Sequence, residues 1–195
     1  MQKLYSNFVD INKYQIPINR IHLYTIHHSE VKMRKTWQEK MADKQGVPKV
    51  LKLEKTFPCY NAVHKMGAEV GDEVVLVNPR EVEALMQLVP KGKLVTLIEI
   101  CKKLAQQYHV KGCCTLTAGI FTMTAANAAE EMKAQGKPND LPYWRTLKSN
   151  GELNPKYPGG IEGHAALLEK EGFIILRKGK RAFVKDYEKC LLQFN

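Results

Sequence analysis

The stretch PYWRTLKSNGELNPKYPGGIEGHAALLEKEG, Pro142–Gly172, carries most of what the sequence says about the fold. Ser149-Asn150-Gly151 is a turn signal between two extended runs, because Asn and Gly accept the backbone conformations that a reversal needs. Pro158-Gly159-Gly160 forces a second tight bend. Ile161 to Lys170 then reads as a helix closed by Gly172 as its C-terminal cap. Gly159, Gly160 and Gly163 do not form a dinucleotide fingerprint, since no apolar strand precedes them. Downstream, Phe173–Leu176 and Ala182–Val184 flank RKGKR, Arg177–Arg181, which predicts a hairpin with a basic tip.

Upstream, Thr96-Leu97-Ile98-Glu99 is a capping box, in which the hydroxyl and the carboxylate satisfy orphan amides at a helix start. Leu97, Ile100, Cys101, Leu104, Ala105 and Tyr108 follow at helical spacing and predict about three turns. After Val110-Lys111-Gly112 comes an alanine-rich run from Thr115 to Gln135, with Phe121, Ala125, Ala128 and Met132 on one stripe. Gly136 and Pro138 end it. Two helices followed by a hairpin read as a winged helix-turn-helix, the second helix being the recognition helix. Its outward face is expected to carry Thr122, Ala126, Ala129 and Lys133.

Pro142, Arg145, Tyr157, Gly159, Gly160 and Glu171, set in PYWR, YPGG and LLEKEG, resemble the active-site segment of the alkylguanine DNA alkyltransferases. With VPKGKLVTLIEI, Val89–Ile100, the resemblance spans roughly residues 89 to 176. It implies an α/β (α+β) winged-helix domain over 89–195, packed on a region of short strands and helices over 1–88. Tyr143 stands where the family has its alkyl-accepting cysteine, and Trp144 where it has the histidine base. Glu171 occupies the position of the carboxylate that orients that histidine. A phenol titrates near ~10 and is a poor substitute for a thiolate, so alkyl transfer is expected to be lost. The family's tyrosine after the helix-opening Ser/Thr is here Leu97. Its intercalating arginine has no counterpart, for no arginine occurs between Arg80 and Arg145. In its CTLTAGIF and PYWR segments the chain resembles a divergent branch of alkyltransferase-related proteins that lacks the acceptor cysteine.

The resemblance gives a base or ligand pocket formed by Tyr143, Trp144, Arg145, Tyr157, Gly159, Gly160 and Glu171. DNA contacts are expected from Lys91, Lys93, Thr122, Ala126, Lys148, Arg177, Lys178, Lys180 and Arg181. The net charge of +10 supports attraction to polyanions, with 17 basic against 10 acidic side chains in residues 91–195. The leading reading is therefore a non-catalytic DNA-binding protein associated with DNA repair that binds weakly and without sequence preference. The alternative is a protein- or small-ligand-binding module that has reused the fold, favoured by the neutral recognition helix. An enzyme using Tyr143, Glu171 or the Cys113-Cys114 pair for other chemistry has less to recommend it, because no nucleophile and base form a recognisable pair.

At 195 residues, 44% hydrophobic and 26% charged, the chain has an ordinary globular composition. No stretch approaches the ~20 apolar residues of a membrane span. MQKLYSNFVD is no signal peptide, and five cysteines without a C-x-x-C suggest a reducing, cytoplasmic setting. Cys59, Cys101 and Cys190 are expected to pack as small hydrophobes, and Cys113 and Cys114 to pack at a helix start. Residues 29–45 read as a helix opened by Ser29, with Trp37 and Met41 on one side. Val50–Phe57 and Glu73–Asn78 read as strands, and Pro79–Leu88 as a helix with proline in its first turn. His27, His28 and Glu30 are expected to be surface residues, not metal ligands. Gly92-Lys93 lacks the rest of a phosphate loop, and no cofactor or metal is expected.

Overall fold

Alanine dominates the 20-residue helix α5 (Thr115–Ala134), and small side chains let neighbouring helices approach it from several directions. In the computed structural model, which describes residues 34–43 and 46–194, three helices do so: α1 (Trp37–Ala42), α3 (Pro79–Gln87) and α4 (Leu97–Gln107). Contacts divide the chain into Met1–Arg34 and Lys35–Asn195, and the elements described here belong to the second unit. Its largest apolar cluster runs through both sides of residue 88, from Met41, Val82 and Met86 to Ile100, Leu104, Phe121, Ala125, Tyr143 and Tyr157.

Local sequence explains each helix start. Thr36 and Glu39 form a capping box on α1, whose exposed first amides are also satisfied from elsewhere. The Glu131 carboxylate of α5 accepts from Gln38 N–H at 2.9 Å and from Trp37 N–H at 3.3 Å. The helix expected from Ser29 thus opens at Thr36, while Ser29, His27, His28 and Glu30 lie outside the described residues. Asn78 and Glu81 box the start of α3, with Pro79 at its first position. At α4, the Glu99 carboxylate accepts from Thr96 N–H at 3.2 Å, as the capping box predicts.

Three small sheets surround this helical centre. β1 (Lys49–Lys52) runs antiparallel to β2 (Glu73–Leu76), which runs parallel to β4 (Gly112–Cys113). The strand expected over Val50–Phe57 ends at Lys52, and a turn leads to the short helix α2 (Tyr60–His64). β3 (Val95–Thr96) pairs in parallel with β5 (Thr146–Leu147). α6 (Gly160–Lys170) follows the Pro158-Gly159-Gly160 bend and ends as expected, with Phe173 N–H donating to Leu168 O at 3.2 Å. The basic segment forms the antiparallel hairpin β6 (Ile175–Lys178) and β7 (Arg181–Val184). Lys178 pairs with Arg181, so Gly179 and Lys180 make a two-residue turn. Gly179 at φ +59° supplies the positive φ such a turn demands. A second cluster, including Leu94, Leu147, Leu153 and Leu168, packs α6 against this hairpin. No helix among the described residues is long and apolar enough to cross a membrane.

The recognition-helix expectation needs correction. Thr122 is 3% exposed and Ala126 0%, and Ala129 is buried with them. Of the face expected to point outward, Lys133 alone is exposed, paired with Glu130 at 2.9 Å. The cause is legible in composition: a helix apolar on every side is a buried helix, and α1 and α3 lie against this one.

The bend before α6 depends on close backbone approach. A Cβ on Gly163 would sit 2.7 Å from the Pro158 carbonyl oxygen. Gly163→Ala should therefore destabilise the protein by about 1 to 3 kcal/mol despite alanine's better helix propensity, measured as a lower urea midpoint with unchanged m-value.

Candidate nucleic-acid interface

Pro142 leads into a single 3-10 turn, Tyr143–Arg145, that directs three consecutive side chains into different surroundings. Tyr143 is 2% exposed. Its ring meets Trp144 and Tyr157 edge-to-face, both at 5.5 Å between centroids. Burial, reinforced by the nearby Glu130 carboxylate, pushes the Tyr143 phenol well above its ordinary value, so phenolate is suppressed. Burial likewise raises Tyr157. Tyr143 is thus part of a packed aromatic cluster.

Trp144 and Arg145 converge on Glu171. The indole N–H donates to Glu171 Oε1 at 2.7 Å, and the Arg145 guanidinium donates to the same carboxylate through Nε at 3.0 and 3.1 Å and Nη2 at 2.8 Å. Arg145 Nη1 donates to Val89 O at 2.7 Å, and Gly92 N–H approaches Glu171 Oε2 at 3.4 Å. The Glu171 pKa falls below the ordinary range, because hydrogen bonds from Arg145, Trp144 and Gly92 outweigh its burial. The Glu171 carboxylate holds an indole and a guanidinium, neither of which can serve as a base at neutral pH.

His164, which sequence reasoning passed over, lies fully buried beside Tyr157, with ring centroids 4.9 Å apart. Asn154 N–H donates to its Nδ1 at 3.0 Å, so Nε2 carries the proton and donates to Trp144 O at 2.7 Å. Desolvation lowers its pKa to about 4 despite these bonds. The neutral imidazole is a structural pin between the 3-10 turn and the Asn154 loop.

Of the residues expected to form one pocket, Tyr143, Trp144 and Tyr157 pack ring against ring, and Trp144 and Arg145 share Glu171. Gly159 and Gly160 shape the start of α6. Tyr157 alone of the seven lines an open groove of about 320 Å³, which lies between the starts of α4 and α5 and the loop 154–157. Its floor is Leu97, Leu116, Ile120, Met123 and Leu147, with Leu116 50% and Ile120 47% exposed. Tyr157, Thr122 and Asn154 supply polar atoms, and Lys148 and Lys156 stand at the wall. Asn127 Nδ2 donates to Met123 O at 2.9 Å and Lys156 O at 3.2 Å, clamping the loop to α5. The spacing of Leu116, Ile120 and Met123 at i, i+4 and i+7 was a sequence signal for this second apolar stripe.

The expected phosphate contacts divide in two. Arg177 is held by Glu162 at 2.5 and 2.7 Å. Arg181 binds Glu152, which also pairs with Lys148 at 3.0 Å. Lys178 and Lys180 on the hairpin, and Lys91 and Lys93 before β3, are exposed and make no ion pair among the described residues. All five cysteines are free thiols; Cys59, Cys101, Cys113 and Cys114 are buried, and burial pushes Cys59 up to about 12. Among the described residues no cluster of His, Cys, Asp and Glu could hold a metal ion.

No protein-family model matches the chain, and no curated protein does. Among solved structures, S. pombe Atl1 in complex with damaged DNA containing O6-carboxymethylguanine is 18% identical, covering 59% of this chain and 94% of that one with a TM-score of 0.42. The likeness is distant.

Two outcomes follow from the buried polar groups. Glu171→Gln leaves the Arg145 guanidinium without its counter-charge and should cost about 3 to 5 kcal/mol in chemical denaturation. His164 contributes stability that is fully present above pH 6.5 and lost as pH falls toward 4, because the unfolded chain takes up its proton first. The loss should reach up to about 3 kcal/mol. His164→Gln should flatten the pH dependence of the urea midpoint in that window.

Proposed function

We propose that this chain is a non-catalytic DNA-binding protein related to the alkylguanine DNA alkyltransferases, and that its ligand site is the groove at the starts of α4 and α5. The observation that carries the reading is the groove's composition: an apolar floor, a few hydroxyl and amide groups at one end, and Lys148 and Lys156 beside them. An unstacked base has an apolar face and polar edges, and its neighbouring phosphates need cations. The volume of about 320 Å³ falls at the lower end of ligand clefts. Because α5 offers no exposed arginine or glutamine to base edges, recognition is by shape and charge and largely indifferent to sequence. Glu152 ties Lys148 to Arg181, setting the hairpin beside the groove, so that Lys178 and Lys180 add phosphate contacts. Five free thiols suit a reducing, cytoplasmic setting. A second reading, a protein-binding module, draws on Leu116 and Ile120, whose exposure also suits an apolar peptide.

Binding to duplex DNA should be weak, with dissociation constants on the order of 10⁻⁴ to 10⁻⁶ M, and log affinity should fall with log salt at a slope of roughly −3.6 for four neutralised phosphates. Fluorescence anisotropy of plain and O6-alkylguanine duplexes over a salt series tests this. Lys148→Ala with Lys156→Ala should flatten the slope, and Ile120→Glu should abolish binding while leaving the fold intact. No binding of either duplex at low salt would remove the DNA reading in favour of a protein partner. Intact-mass measurement after incubation with alkylated DNA should show no mass gain, and Tyr143→Cys should not restore transfer, since the new thiol would lack a base.

A further inference from the structure

A second cleft, of about 480 Å³, opens directly beside the groove. The two share their dividing wall: Leu97 and Lys148 line the groove, and their chain neighbours Ile98 and Ser149 line the cleft. The far side of the cleft is α2 and the residues after it, Asn61, Lys65 and Met66, which lie outside the span of the alkyltransferase resemblance. Lys102 of α4 completes it and also borders a third cleft, of about 270 Å³, that ends at Lys111.

Charge along this path has one sign. Lys156, Lys148, Lys65, Lys102 and Lys111 succeed one another across the three clefts, and no acidic side chain lines any of them. Lys65, Lys102, Lys111 and Lys156 are exposed and form no ion pair among the described residues; Lys148 shares Glu152 with Arg181. Between the lysines the surface is apolar, with Met66 and Ile98 in the second cleft and Ala105 and Val110 in the third.

We propose that these clefts form one continuous track for single-stranded DNA, running from the groove across α2 and along α4 to Lys111. The idea rests on the DNA reading of the groove and names the ligand more closely. A duplex presents phosphates to a protein surface and keeps its base faces stacked inside. A single strand presents unstacked bases and sugars as well, and a surface that alternates cations with apolar floors can hold both. In the track, the lysines meet successive phosphates while Met66 and Ile98 cover a base or sugar face. α2 makes the chain a strand binder instead of a reader of one extruded base.

The test compares the full chain with Lys65→Ala/Lys102→Ala/Lys111→Ala, whose substitutions are all exposed and should leave the thermal midpoint unchanged. Anisotropy is measured over a salt series with a thymidylate dodecamer, a thymidylate trimer and a blunt duplex of dodecamer length. The wild type should bind the single-stranded dodecamer tighter than the duplex, with a slope of about −3.5 for five phosphates, and the triple variant's slope should fall to about −1.4. The trimer, short enough for the groove alone, should bind both proteins alike. Unchanged dodecamer binding by the variant overturns the track and leaves the groove reading standing. Equal losses on dodecamer and duplex also overturn it, as general attraction to polyanions. Failure of the wild type to bind any of the three sinks the groove reading itself, and the track with it.

Discussion

The Arg145–Glu171 pair is the constraint on which the region around the 3-10 turn depends. It joins three segments distant in sequence: the 3-10 turn, the end of α6 and the loop before β3. Removing both charges from water is costly, and the pair is tolerable because nearly every polar atom finds a partner, with Trp144, Val89 and Gly92 completing the set. Glu171 thereby fixes the indole, and the indole fixes the neighbouring Tyr143 edge-to-face. The carboxylate thus organises a core.

A consequence follows for where ligands can meet the protein. With Tyr143 buried among aromatic rings and α1 and α3 covering α5, neither the surroundings of the 3-10 turn nor the central face of α5 is open. Access is left at the N-terminal ends of α4 and α5, beside the loop 154–157, where Leu116 and Ile120 stay exposed. His164 and Asn127 hold that loop from opposite sides, one through Asn154 and one through Lys156. The groove wall is thus positioned by hydrogen bonds to its backbone, while its surface is left to the ligand.

Electrostatics sort the lysines from the arginines. Arg177 and Arg181 have planar forks suited to carboxylates and are engaged by Glu162 and Glu152. Lys178 and Lys180 of the hairpin, Lys65 after α2 and Lys102 of α4 make no ion pair among the described residues. The net charge of the chain is consequently carried to solvent by point charges, which suit phosphates met in varied geometry.

Much of the secondary structure was legible because its signals are local. Thr96 with Glu99, Pro79 at a first helical position, Gly172 after α6 and Gly179 in its hairpin each act through bonds or dihedrals within a few residues. The meaning of α5 was half legible: its alanines announced close packing, but which neighbours would pack could not be read from the helix, because the signals in α1 and α3 are local and say nothing of the helix they meet. That Tyr143 and Trp144 carry no thiol and no imidazole was visible directly. That Glu171 would turn to the indole, that His164 would be buried neutral, and that Glu162 and Glu152 would take the two hairpin arginines required contacts across 15 to 29 residues of sequence. Sequence determines what a side chain can bond and bury; only the tertiary fold decides which partner it reaches, because distance in space is set by the packing of the whole chain.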